Sequence, residues 1–149
     1  MSLEEKINTD IREAMKAKDQ ARLRGVRAVK AAILLAKTDG SGTEIDNDRE
    51  IKILQKLVKQ RQESLTIYET QNRPDLATIE KEEIEIIQKY LPQQMSVEEL
   101  ESFINYLIKE NGALGIKDMG KIMGLASKGL AGKADGKTIA ELVKKLLSV

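Results

Sequence analysis

The sequence contains no cysteine, no histidine and no tryptophan among its 149 residues. Without cysteine there are no disulfides and no thiolate metal sites. Without histidine the chain lacks the commonest general base and the commonest metal ligand, so any catalysis would depend on carboxylates, lysines or hydroxyls. We therefore expect neither a cofactor nor a metal ion.

Long apolar runs are also missing. The longest, over residues 31–36, is far too short to span a bilayer. Glutamates occupy the N-terminus, where a secretory signal peptide would carry basic and then apolar residues. These features predict a cytoplasmic protein with no membrane association. A composition of 41% hydrophobic and 33% charged residues, with two prolines, is typical of a helix-rich globular chain.

Apolar residues recur at helical spacing along the chain, and no alternation of period two is sustained, which predicts an all-α fold. The third and fourth of seven predicted helices form a long antiparallel pair, because only a short break before Pro74 separates them. The segment 38–46 is predicted to be a loop. The clearest boundary lies at Leu91-Pro92, so we expect an N-terminal helical domain over 1–92 and a small three-helix module over 93–149.

Gly25 lies in the middle of the second predicted helix. A glycine there costs about 1 kcal/mol of helix stability relative to alanine. We interpret Gly25 as a position where another helix packs closely against the backbone.

Charge is unevenly distributed over the N-terminal helices. The second and third are strongly basic and the fourth is acidic. Two interpretations remain open: these helices neutralise one another side by side, or the basic residues form a phosphate-binding stripe. The candidate residues of this secondary stripe are Arg24, Arg27, Lys52, Lys56 and Lys59. With one Phe, three Tyr and no Trp, base stacking on single strands is disfavoured.

The segment Gly115–Thr138 holds six of the ten glycines and five lysines, with only two acids. Its end resembles a P-loop, but three residues instead of four separate Gly132 from Gly136, and a helix precedes it instead of a strand. Two interpretations remain. The glycines serve a turn while Asp135 caps the last helix, or the free amides of that helix start bind a phosphate between Lys133 and Lys137.

Several short motifs, in this order, resemble the YqeY family. They are Leu23–Ala32 (LRGVRAVKAA), Lys59–Ser64 (KQRQES), Arg73–Leu76 (RPDL), Tyr90–Pro92 (YLP), Asp118–Met123 (DMGKIM) and Gly132–Lys137 (GKADGK). Asn72 departs from the family pattern, which tends to have glycine before the arginine, and should affect only the turn. The resemblance implies an all-helical protein related to the tail domain of the B subunit of aspartyl/glutamyl-tRNA amidotransferase, a domain that reaches for the tRNA body.

We therefore expect a stand-alone, non-catalytic tRNA-binding accessory protein, linked to tRNA-dependent amidation or aminoacylation. The residues expected to contact RNA are Lys117, Lys121, Lys128, Gly132, Lys133, Gly136 and Lys137. One alternative is a protein–protein adaptor that docks on an aminoacyl-tRNA synthetase or an amidotransferase. Another is a carbon–nitrogen ligase with glutamine as amido-N-donor, although no amidase motif matches here. No DNA partner is expected.

Overall fold

The computed structural model describes residues 2–39 and 44–148. This part of the chain contains seven α-helices and no strand, which confirms the all-α prediction. The helices are α1 (Leu3–Ala17), α2 (Gln20–Lys37), α3 (Asn47–Thr70), α4 (Pro74–Gln88), α5 (Val97–Glu110), α6 (Met119–Gly129) and α7 (Gly136–Leu147). A short 3-10 helix, Ile116–Asp118, precedes α6. Of the predicted loop 38–46, residues 40–43 lie outside the described residues.

The chain divides into two compact units, Met1–Pro92 and Gln93–Val149, called here the N-terminal and C-terminal units. Each has its own group of buried aliphatic side chains. Each is therefore described separately below.

Local capping interactions set the helix starts of the N-terminal unit. Ser2 and Glu5, a serine followed three residues later by a glutamate, form a reciprocal capping box at α1. The Asp19 side chain accepts a hydrogen bond from the amide of Arg22 and starts α2.

Between α3 and α4, Asn72 has φ 55°, a left-handed conformation that favours glycine and, after it, asparagine. The departure from the family's glycine at this position is thus accommodated within the turn.

Buried residues of α1, α2, α3 and α4 form the core of the N-terminal unit. They are Ile7, Val26, Val29, Ile33, Leu54, Val58, Ile84 and Ile87. Gly25 lies where α2 approaches α4, and a Cβ atom added to it would lie 2.7 Å from Cβ and Cγ2 of Ile86. The predicted close helix packing at Gly25 is confirmed.

A polar network joins α1 to α2 and to the residues that follow α4. The Tyr90 hydroxyl donates a hydrogen bond to Oδ2 of Asp10. Arg22 Nη2 lies 3.4 Å from Asp10 Oδ1 and 3.3 Å from Glu13 Oε2. Burial of the hydroxyl, followed by its hydrogen bond to Asp10, raises the pKa of Tyr90. The tyrosine therefore stays neutral and serves as a donor to a carboxylate.

The C-terminal unit is built by α5, α6 and α7. Its fully buried side chains include Leu100 and Ile104 of α5, Ile122 and Ala126 of α6, and Val143 of α7. A second capping box, Ser96 with Glu99, starts α5. Met119 and Met123 of α6 are partly buried and pack against this core, where flexible methionine side chains serve to fill gaps.

Candidate nucleic-acid interface

Helix α6 has a buried side and an exposed side of different chemistry. Ile122 and Ala126 lie fully inside the core. Lys121, Gly124 and Lys128, which are spaced by three and four residues, are exposed. The exposed side of α6 thus combines lysine ammonium groups with a glycine that leaves the helix backbone uncovered.

The loop between α6 and α7 is anchored to the segment before α5. Gln94 Nε2 donates to the carbonyl of Gly132 at 2.7 Å, and the amide of Met95 donates to the carbonyl of Lys133 at 3.0 Å. Gly132 is buried and has φ 77°, so it supplies a left-handed turn. This corrects the expected placement of Gly132: its backbone faces protein and is not on the surface. The Lys133 side chain is exposed.

The start of α7 is capped by its own chain. Asp135 Oδ1 accepts a hydrogen bond from the amide of Thr138 at 2.7 Å, which confirms the predicted cap. Gly136 and Lys137 are exposed, and a Cβ added to Gly136 would meet nothing within 4 Å. Because the Asp135 carboxylate already lies at this helix start, an approaching phosphate depends on the neighbouring lysines for its attraction.

Five lysines, called the lysine set, follow one another on these elements: Lys117, Lys121, Lys128, Lys133 and Lys137. All five are exposed, and within the described residues none of them forms an ion pair. In the described part of the C-terminal unit, the one ion pair joins Lys145 to Glu101 at 3.5 Å. The positive charge of the lysine set is therefore available to an external anion.

The secondary stripe of the N-terminal unit is divided by the structure. Arg24 Nη2 of α2 lies 2.6 Å from Glu82 Oε2 of α4. For this residue the structure agrees with the interpretation that neighbouring helices neutralise one another. Arg27 and the three lysines of α3, Lys52, Lys56 and Lys59, are exposed, and in the described ranges they make no ion pair. Four of the five cations of the stripe are therefore exposed and unpaired within the described residues.

Two exposed apolar residues beside the lysine set were missed by the sequence interpretation. Leu114 is 83% exposed and Ile116 is 48% exposed. Both flank Gly115 directly before Lys117, and an apolar residue on each side of a glycine in a turn is the signal that could have identified them. Periodicity assigns apolar residues to cores, so it gave no reason to place these two outside.

Gly124 gives a stability prediction for α6. A Cβ at this position would meet nothing within 4 Å. Gly124→Ala should raise the free energy of unfolding of the C-terminal unit by about 0.5–1 kcal/mol, since alanine is the better helix former. Urea unfolding monitored by circular dichroism measures the change.

Gly129→Ala on the same helix is the matched control. Its Cβ would lie 2.7 Å from Cζ of Phe103, so the ring must shift and the gain should be absent. A loss of stability in Gly124→Ala would contradict the open helix surface described above.

Comparison with known proteins gives two findings. The profile of the family described as Yqey-like protein matches residues 4–147. Several fungal proteins named "Altered inheritance of mitochondria protein 41, mitochondrial" are similar to this chain. The relative from Meyerozyma guilliermondii is 32% identical over 95% of this chain and 74% of its own length. The relative from Clavispora lusitaniae is 36% identical over 72% of this chain and 65% of its own length.

The relative from Vanderwaltozyma polyspora is 32% identical over 76% of this chain, and the match spans 64% of its own length, slightly under two thirds. The names of these relatives contradict the expected cytoplasmic location, because they describe mitochondrial proteins. That expectation was wrong because its basis, the lack of an apolar run and of a secretory signal, concerns membranes and secretion and carries no information on mitochondrial import.

Within the described residues, every helix is too short or too polar to cross a bilayer.

Proposed function

The chain belongs to the YqeY family, and from that premise we propose that it is an RNA-binding accessory protein whose C-terminal unit docks on the phosphate backbone of tRNA. Its role is to hold RNA, and the lysine set supplies the attraction. The tRNA is used by amidation or aminoacylation enzymes, in line with the family resemblance of the motifs quoted above.

The observation that carries this proposal is the lack of internal partners for the lysine set. Some basic residues elsewhere in the described chain are bound to acids, as in the pair Arg61–Glu83 with an Nε–Oε2 distance of 3.0 Å, while others, such as the lysines of the secondary stripe, are unpaired there. Within the described residues, the five members of the lysine set have no such pair, and they follow one another along the glycine-rich part of the C-terminal unit. Exposed lysine ammonium groups bind phosphates as point charges and release counterions from the nucleic acid.

The physics of counterion release gives the first test. Each neutralised phosphate contributes about 0.7–0.9 to the negative slope of log K against log salt concentration. If the five lysines all contact phosphates, the slope for a tRNA transcript should be about −4. Fluorescence anisotropy with labelled tRNA at several salt concentrations measures it.

Two results would contradict the proposal. Absence of tRNA binding at low salt would overturn it. Binding with a slope near zero would show that phosphate contacts are not the basis of recognition. A double-stranded DNA of similar length is the comparison ligand, because it offers the same charge without 2′-hydroxyls or A-form geometry.

The adaptor alternative has less support from the described residues. An exposed face formed by Met119 and Met123 would have favoured docking on a synthetase or an amidotransferase, but both side chains are packed partly against the core. Carbon–nitrogen ligase activity has less support too, because the chain has neither histidine nor cysteine and no amidase motif matches its remaining candidate catalytic groups. RNA docking is therefore the function we favour.

A further inference from the structure

Hydrogen bonds hold the backbone of the loop between α5 and the 3-10 helix, and the loop leaves an apolar side chain exposed. The amide of Ala113 donates to the carbonyl of Ile108 at 3.1 Å, and the amide of Leu114 donates to Asp118 Oδ2 at 2.8 Å. The amide of Asp118 in turn donates to the carbonyl of Gly115 at 3.0 Å. These bonds tie both sides of the loop, and Ala113 packs on the core while Leu114 remains 83% exposed.

The residues next to Leu114 indicate the chemistry of a ligand that could contact it. Ile116, 48% exposed, lies two positions after Leu114 in the chain, and Lys117 follows it directly. The apolar pair therefore adjoins the first member of the lysine set. A ligand that spans both must offer an anionic backbone and an apolar face side by side.

In RNA this combination occurs at particular places. A continuous RNA duplex presents phosphates and sugars outward, and its base faces are covered by stacking. A base face becomes available where the stack is interrupted, in a loop or at a bulge. An aliphatic side chain next to phosphate-binding lysines therefore fits the junction of a duplex with an unstacked base.

We infer that Leu114 and Ile116 form a contact for an unstacked base, and that the protein selects structured RNA containing a loop over continuous duplex. This inference rests on the proposed function, since the lysine set must first bind the phosphate backbone. It assigns selectivity to the apolar pair and affinity to the lysines.

The experiment compares two RNAs at one salt concentration: a stem-loop, and a continuous blunt-ended duplex of equal phosphate number. The unaltered protein should bind the stem-loop about tenfold more tightly, a gain in the range expected when an exposed leucine side chain is largely buried. The Leu114→Ser variant should bind both RNAs equally, with the affinity that the unaltered protein has for the duplex. Its salt slope should stay unchanged, because no cation is removed.

Tyr106→Ser is the control, since Tyr106 is also exposed, at 58%, but lies on α5. It should keep the preference for the stem-loop. Because Leu114 has almost no contacts to lose, its replacement should not alter the unfolding midpoint, and this is checked in parallel.

The outcomes separate the two proposals. If the protein binds neither RNA, the proposed function fails. If it binds both equally with a steep salt slope, or if Leu114→Ser keeps the preference, the function stands and this inference is overturned.

Discussion

Gly25→Ala should lower the free energy of unfolding of the N-terminal unit by roughly 1–2 kcal/mol. The new methyl group would lie 2.7 Å from two side-chain atoms of Ile86, inside the distance that real Cβ contacts show. Overpacking of this kind costs about 1–3 kcal/mol. The better helix propensity of alanine returns about 0.5–1 kcal/mol, so destabilisation prevails. Urea unfolding of the full chain, with the m-value compared as well, measures the loss.

Ile86→Ala tests whether the loss comes from this contact. Ile86→Ala removes Cγ2 and Cγ1, two of the three atoms nearest to the new methyl group, and keeps Cβ at 2.7 Å, so it relieves part of the overpacking. Gly25→Ala should therefore cost less in the Ile86→Ala background than in the natural chain, with a coupling energy of about 0.5–3 kcal/mol. Additive effects, or a Gly25→Ala variant as stable as the natural chain, would show that α2 and α4 do not pack this closely.

The second large effect concerns RNA. Lys133→Glu combined with Lys137→Glu should weaken tRNA binding by about 10- to 100-fold, since two charge-assisted contacts to phosphates are lost. The slope of log K against log salt concentration should become shallower by about 2. Folding should be preserved, because both side chains are exposed and a glutamate in the first turn of α7 is favourable to the helix dipole.

Lys109→Glu combined with Lys144→Glu is the matched control. It changes the net charge by the same amount, but Lys109 lies in the last turn of α5 and Lys144 in the last turn of α7. If the lysine set is the docking site, this control should retain most of the affinity. An equal loss in both pairs would point to the overall charge of the unit instead of a defined site.

Features determined by neighbouring residues were predictable from the sequence. The capping boxes at Ser2 and Ser96 and the cap at Asp135 each depend on residues three positions apart, and all three form in the structure. The all-α class follows from apolar spacing that continues through the whole chain. Gly25 was interpretable because a glycine in a helix interior needs a tertiary reason.

Features determined by distant residues were not predictable. Gly132 is buried because Gln94, 38 positions away, bonds to its carbonyl. Arg24 forms an ion pair with Glu82, which is 58 positions away. Arg27, one turn later on the same helix, stays exposed. Charge counts treat these two arginines alike, since only the packing of α2 against α4 distinguishes them. The exposure of Leu114 likewise depends on hydrogen bonds that composition does not reveal.

The bond from Tyr90 to Asp10 has a consequence for how the protein is made. Its two partners are 80 positions apart, at opposite ends of the N-terminal unit. During synthesis, α1 and α2 leave the ribosome long before Tyr90, so the Asp10 carboxylate and Arg22 meet first without the tyrosine. The N-terminal unit can close only when residues 84–90 have emerged, which makes its folding late in translation although its helices form early.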